Sequence, residues 1–303
     1  MRPLRQRLEA RADLASAIRL FFQQRGVLEI QPPVLDAATV TDPHIHSFSV
    51  DQWFLQTSPE YAMKRLLAEG AGSIFALSPV FRRGEVGRLH RSEFTMLEWY
   101  RPGFDLDDLR EEVQQLIEAM LPGVPRARVT SYRTLFEDTF GVNPHRADAE
   151  QLEALIQQMN IDHHVVNTDQ GYVDDLRDLL FSTVVQPTLA GPVFVTNFPE
   201  SQASLARVHE HDGDRVSTRF ELYYQGLELA NAYDEETDAA TLRNRAARDN
   251  VIRRARGLAA VEVDERLLEA VEAMGQTAGV ALGFDRLLMV REGLQDIQEV
   301  MLF

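Results

Sequence analysis

Apolar residues recur at helical spacing from the start of the chain. Leu4, Leu8, Leu14, Ala15, Ile18, Phe21 and Phe22 form one stripe that stops at Arg25-Gly26, which predicts a helix over 4–24. Val27 to Ile30 favours a strand, and Gln31-Pro32-Pro33-Val34-Leu35 extends it, because proline holds its own φ and biases the preceding residue toward extended backbone. A further strand is expected over 53–56, followed by a helix from Ser58-Pro59-Glu60 to about Glu69, opened by a capping serine and a first-turn proline. Residues 74–82 and 94–100 read as two strands joined by a polar loop, and 105–121 as an amphipathic helix. Helical patterns return at 132–140, 148–159 and 172–186, with a strand at 192–198, a loop at 209–214 and β-favouring residues over 216–233. The remainder reads helix, strand, helix.

Adjacent strand pairs rather than regular strand–helix alternation place the chain in the α+β class, with an antiparallel sheet flanked by helices. No repeat, low-complexity run or flexible linker divides the 303 residues, so one domain over 1–303 with a mostly helical insertion at about 125–190 is expected.

The 31 Lys and Arg against 47 Asp and Glu leave a formal net charge of −16, which disfavours general binding to a polyanion. The absence of Cys removes disulfides, thiolate metal sites and cysteine nucleophiles, and points to the cytosol. Lys64 is the only lysine and has no glycine-rich loop before it, which excludes a Walker A site and a protein-kinase arrangement. Neither a signal peptide nor a membrane span is expected. The histidines at 44, 46, 163, 164, 209 and 211 have no metal-ligand spacing and read as loop or surface residues.

Against this acidic background, residues 81–91 carry Arg82, Arg83, Arg88, Arg91 and His90 with Glu85 the single acid. Guanidinium groups match phosphate oxygens in bidentate fashion, so the segment is either a phosphate-binding loop or a solvated basic turn. A glycine-rich run, Gly279-Val280-Ala281-Leu282-Gly283, leads into Asp285-Arg286. Glu221, Glu228 and Glu235 follow at seven-residue intervals, a spacing that strand alternation cannot put on one face without a turn or bulge; a hairpin near Gln225-Gly226 is implied. Converging carboxylates there would hold Mg²⁺ together with phosphate oxygens, or else mark an exposed acidic hairpin.

These segments resemble the three ordered motifs of class II aminoacyl-tRNA synthetases: the helix–strand start ending at Pro33, the Phe81-Arg82 loop leading to Glu93-Phe94-Thr95-Met96-Leu97-Glu98, and the Asp285-Arg286 run. Thr57-Ser58-Pro59-Glu60-Tyr61, Glu93 to Tyr100, Glu228-Leu229-Ala230-Asn231 and the ending Ile297 to Phe303 are most similar to the lysyl branch. The motif 1 match begins within the first few residues, leaving no room for an anticodon-reading OB domain. The chain is therefore similar to the stand-alone lysyl-tRNA synthetase paralogues that attach (R)-β-lysine to a lysine of elongation factor P, with tRNA not expected as acceptor.

The resemblance implies ATP and Mg²⁺, and a two-step ligation through an adenylate. Arg82 would hold the α-phosphate, Phe94 would stack on adenine, and Arg286 would cover its other face and reach the γ-phosphate. Glu221 and Glu228 would ligate Mg²⁺, and His90 would touch the triphosphate. Arg83, Gly84, Glu85 and Arg91 in the loop, with Leu229 and Gly283, complete the expected ATP site; Glu85 would replace the usual motif 2 glutamate through a shift permitted by Gly84. Glu60, Glu98 and Glu235 are the acids expected to face the two ammonium groups of the amino acid, with Ser58, Pro59, Tyr100, Asn231 and Tyr233 as walls. Ala281 stands where the synthetase pattern has glycine, and its methyl raises the pocket floor against an α-amino group. No residue is an evident general base for transfer, a role open to the adenylate phosphate. A homodimer is expected by analogy. A regulatory amino-acid-binding paralogue without activity and a truncated lysyl-tRNA synthetase acting on tRNA are the alternatives.

Overall fold

The computed structural model describes residues 3–162, 165 and 170–302, so His163, His164 and Phe303 lie outside the described residues. Its centre is a nine-stranded sheet. Helix α1 (Leu4–Gln23) stops at Arg25-Gly26 as expected, Gly26 taking a positive φ of 66°, and the chain enters β1 (Leu28–Glu29). After the proline segment, β2 (Leu35–Asp36), β3 (Ser49–Val50) and β4 (Trp53–Leu55) form a separate small sheet. Helix α2 (Glu60–Ala68) follows, with the Glu60 amide donating to Ser58 Oγ at 3.1 Å.

Strands β5 (Ile74–Phe81) and β6 (Glu93–Pro102) pair antiparallel, and α3 (Leu106–Met120) starts in a capping box made by Asp105 and Asp108. Residues 125–190 supply β7 (Arg128–Ser131), α4 (Tyr132–Phe140), α5 (Ala149–Gln158) and α6 (Tyr172–Leu180), whose last turn loosens into a π turn over Phe181–Val185. They bury their own apolar cluster, including Phe136, Leu176 and Leu180, against β8 (Pro192–Pro199).

The expected loop at 209–214 is instead mostly strand: β9 (Val208–His211) turns through Asp212-Gly213 into β10 (Asp214–Tyr224). The left-handed φ of both turn residues, 49° and 77°, suits a tight hairpin that the polar composition disguised. Strand β11 (Leu227–Asp234) closes the hairpin anticipated at Gln225-Gly226. Helices α7 (Ala239–Ala255) and α8 (Glu265–Met274), strand β12 (Thr277–Gly283) and α9 (Phe284–Arg291) complete the chain.

The sheet order is β1-β5-β6-β12-β11-β10-β8-β7, with β9 beside β10. Its interior is antiparallel as expected, but β1 and β7 join by parallel pairing, a consequence of their being fed by helical or loop crossovers rather than hairpins. One face packs against α1 and α3 through Phe22, Trp99, Leu116 and Val280, which gives the molecule its main core. The other face opens into a cavity.

Candidate active site

The cavity has a volume of about 630 Å³ and lies over the central strands. Strand registry explains its lining. Glu98 on β6, Ala281 on β12, Asn231 on β11 and Glu221 on β10 are successive cross-strand partners, and Tyr100, Gly279, Tyr233 and Arg219 form the next row. Side chains two apart on a strand share a face, so both rows point into the cavity while Leu97 and Trp99 point into the core.

The seven-residue spacing of the glutamates is resolved by two irregularities. The Gln225-Gly226 turn puts Glu221 and Glu228 on neighbouring strands. A register shift at Leu222/Tyr223 then sets Glu228, rather than Leu229, opposite Tyr223. Glu228 thereby reaches the same face as Asn231, Tyr233 and Glu235, although Leu229 contributes to the cavity wall as well.

At one end of the cavity the acids gather. Glu98 is 2% exposed; its carboxylate accepts from Ser58 Oγ and Tyr100 OH, both at 2.7 Å. Glu235 is 1% exposed. Burial pushes both carboxyls above the ordinary range, and nearby carboxylates, Glu60 foremost, add to the shift of each. Gly279 is indispensable to this packing, because a Cβ there would lie 2.3 Å from Tyr100 Cε1 and 2.5 Å from Glu235 Oε1. Ala281, one pleat away and flanked by Glu98 and Asn231, forms the floor between them.

One feature of the acid end was absent from the expectations. Lys64, fully buried, sits one turn along α2 from Glu60 and places Nζ 2.7 Å from Glu60 Oε1 and 2.6 Å from Glu235 Oε2. The three acids are therefore not an unbalanced cluster. The signal was present as an i, i+4 Glu–Lys pair holding the only lysine.

At the other end lie the basic groups. Arg286 donates from Nη1 to the Glu228 carbonyl at 2.9 Å and stands 3.4 Å from its carboxylate, while its Nη2 is 2.7 Å from His90 Nε2. A guanidinium can only donate, so His90 accepts there; partial burial and the Arg286 charge hold its imidazole below the usual range. Arg82 donates to the Thr57 carbonyl at 3.2 Å, faces Glu85 at 3.6 Å and lies over the Phe94 ring at 5.3 Å. Arg91 donates to Gln298 Oε1 at 2.8 Å and lines the rim. Gly283 ends β12 beside the Arg286 stem.

Not every expected residue reaches the cavity. Arg83 is exposed and tied down through its backbone to the His46 carbonyl, and neither it, Gly84 nor Pro59 lines the wall. Pro59 instead caps α2, and Gly84, at φ 90°, makes the loop turn. Glu221 and Glu228 do converge: Glu221 is partnered by Arg219 and Tyr223, and burial, with the Glu228 carboxylate contributing, raises its pKa. Arg219 went unforeseen although it lies two residues before Glu221 on the same strand face; it also donates to Asn231 Oδ1 at 3.1 Å. Arg11 and Asp285 form a second hidden support. Fully buried Asp285 accepts from the Thr95 amide and from Arg11, fixing α9 against β6 so that Arg286 faces the cavity.

Among the described residues no three His, Cys, Asp or Glu side chains form a metal-holding group. The Glu221–Glu228 pair has the donor set for Mg²⁺ only where phosphate oxygens complete the shell.

The chain as a whole is similar to known proteins. The chain is 43% identical to the elongation factor P–(R)-β-lysine ligase of Histophilus somni (strain 2336), over 98% of this chain and 94% of the relative. It is 44% identical to the protein of the same name from Pasteurella multocida (strain Pm70), with the same coverage. A family model for tRNA synthetases of class II (D, K and N) matches residues 2–303. With Arg82 and Arg286 flanking one end of a single cavity in an antiparallel sheet, and near full-length likeness to these relatives, the chain belongs to the class II tRNA synthetase family.

Proposed function

We propose that the protein is an ATP-dependent ligase that activates (R)-β-lysine, and α-lysine more weakly, and transfers it to the ε-amine of a lysine on elongation factor P. The observation that carries this reading is the polarity of one cavity: an acid socket of Glu60, Glu98 and Glu235 at one end, two arginines and a carboxylate pair at the other. A substrate with two ammonium groups and a carboxylate fits that gradient with the carboxylate directed at the arginines. The names of the relatives supply the acceptor.

In the first step a carboxylate oxygen of the amino acid bonds to the α-phosphorus of ATP, the bond to the bridging oxygen breaks and pyrophosphate leaves. In the second the acceptor amine, as the free base, bonds to the activated carbonyl carbon, the bond from that carbon to the phosphate oxygen breaks, AMP leaves and the amine proton passes to the departing phosphate. Such chemistry requires alignment and charge stabilisation more than covalent participation. Arg82 and Arg286 supply the donors, and Phe94 offers an aromatic face for adenine. His90, accepting from Arg286, orients that guanidinium. Glu221 and Glu228 would hold Mg²⁺, which supplies charge neutralisation on the phosphates. Ala281 fills the place of an α-ammonium and leaves room for one displaced to the β-carbon.

No helix of the described residues is long and apolar enough to cross a membrane, and the reaction belongs in the cytoplasm, where translation factors act. The net charge of −16 weighs against tRNA as acceptor. Exposed Leu4, Leu8, Leu20, Leu28 and Trp53, all on α1, β1 and the small sheet, are the surface expected to pair two copies.

The test is ATP–pyrophosphate exchange with (R)-β-lysine, α-lysine and asparagine in parallel, followed by transfer of labelled amino acid to elongation factor P. Exchange strongest with β-lysine and label on the factor is the expected result; exchange with neither lysine isomer would refute the reading.

A further inference from the structure

Three carboxylates, Glu60 from α2, Glu98 from β6 and Glu235 from the end of β11, converge on the acid end of the cavity, two of them almost wholly buried. Desolvating one unpaired carboxylate is costly, and packing three together without compensation would force protons onto them. The chain has placed its single lysine at that point. Lys64 Nζ is within 2.7 Å of Glu60 and 2.6 Å of Glu235, with no exposed side-chain surface. The third acid is held differently, by Ser58 and Tyr100 hydroxyls.

We propose that Lys64 is a positioning residue of the amino-acid site: it ties the α2 acid to the β11 acid and cancels one of three carboxylate charges, so that the socket carries a net −2 once all three carboxyls are ionised, matched to a substrate with two ammonium groups. Without it, one of Glu60 and Glu235 would take up a proton and lose its ion-pair geometry, because a buried charge deprived of its partner neutralises itself. The ammonium contributes no atom to the reaction. Its effect lies in the number and direction of charges offered to the substrate, which rests on the reading of the cavity given above.

Because the chain has one lysine, growth on ¹⁵N-lysine labels Lys64 alone. Its ammonium signal is expected to persist above about pH 10 and to move when α-lysine or β-lysine is added, but not with norleucine, which lacks the second ammonium. In Lys64→Met, the KM for β-lysine in pyrophosphate exchange should rise roughly tenfold or more, with kcat within about threefold and the KM for ATP unchanged. A wild-type KM in the variant, or a Lys64 signal that ignores both lysine isomers, would overturn the proposal. Should Lys64→Met fail to fold, the wild-type signal decides alone. Wild-type protein inactive in exchange with both isomers refutes the functional reading instead, while a Lys64 signal titrating in the free-lysine range refutes only this one.

Discussion

Ala281 forms the floor between Glu98 and Asn231, and its one methyl group is proposed to take the place of an α-ammonium. A methyl in such a position is worth about 1 to 3 kcal/mol of discrimination. Ala281→Gly should therefore raise exchange with α-lysine relative to β-lysine by about tenfold or more. An unchanged ratio would show that the floor does not select between the isomers. Glu98 and Glu235 make a second prediction. Burial and neighbouring carboxylates raise both pKa values, so these acids ionise later than ordinary carboxylates as pH increases. Dication binding needs them ionised, and the KM for lysine should fall as pH rises from about 6 to about 8, with the KM for ATP steady. A flat lysine KM over that interval would mean the carboxyls are already charged at its lower end. The acids were legible from the motifs; their partner Lys64 was visible as the lone lysine four residues from Glu60, but not as a counterion of Glu235, because only folding brings Glu235 to it from 171 positions away.

Elements are aligned by hairpins, and the β10–β11 turn is the one on which the metal-type pair depends. Gly226 has φ 75°, and a Cβ would lie 2.9 Å from the Gln186 carbonyl oxygen, while Gln186 Nε2 donates back to the Gly226 carbonyl. Gly226→Ala should lower unfolding stability by about 1 to 3 kcal/mol, measured by urea titration, and raise the KM for ATP by shifting Glu228 against Glu221. Wild-type values for both would show that the turn is not the device that sets their registry. The need for a hairpin here followed from the glutamate spacing, whereas the register shift at Leu222/Tyr223 did not, since bulges depend on cross-strand partners. The 209–214 hairpin was misjudged for a related reason: polar, turn-forming residues describe a loop equally well until a neighbouring strand pairs with them.

At the scale of the whole molecule, the sheet divides labour between its faces, one sealed by α1 and α3 and the other left open to substrate. The proposed dimer would cover apolar residues that are exposed on α1, β1 and the small sheet. Sedimentation should show a dimer, and Leu28→Asp should shift it toward monomer, with the fluorescence of Trp53, 42% exposed, moving to the red while buried Trp99 does not change. A wild-type monomer at micromolar concentration would remove the dimer from the account.

By itself the amino-acid order determined the α+β class, most helices and strands, the ordered motifs and a part of the polar lining of the cavity. It did so because local periodicity and short motifs are written in neighbouring residues. Tertiary structure alone decided which charges are balanced. Lys64 against Glu235 and Arg11 against Asp285 each join different elements, and burial changes what such charges cost only once the sheet has closed over them.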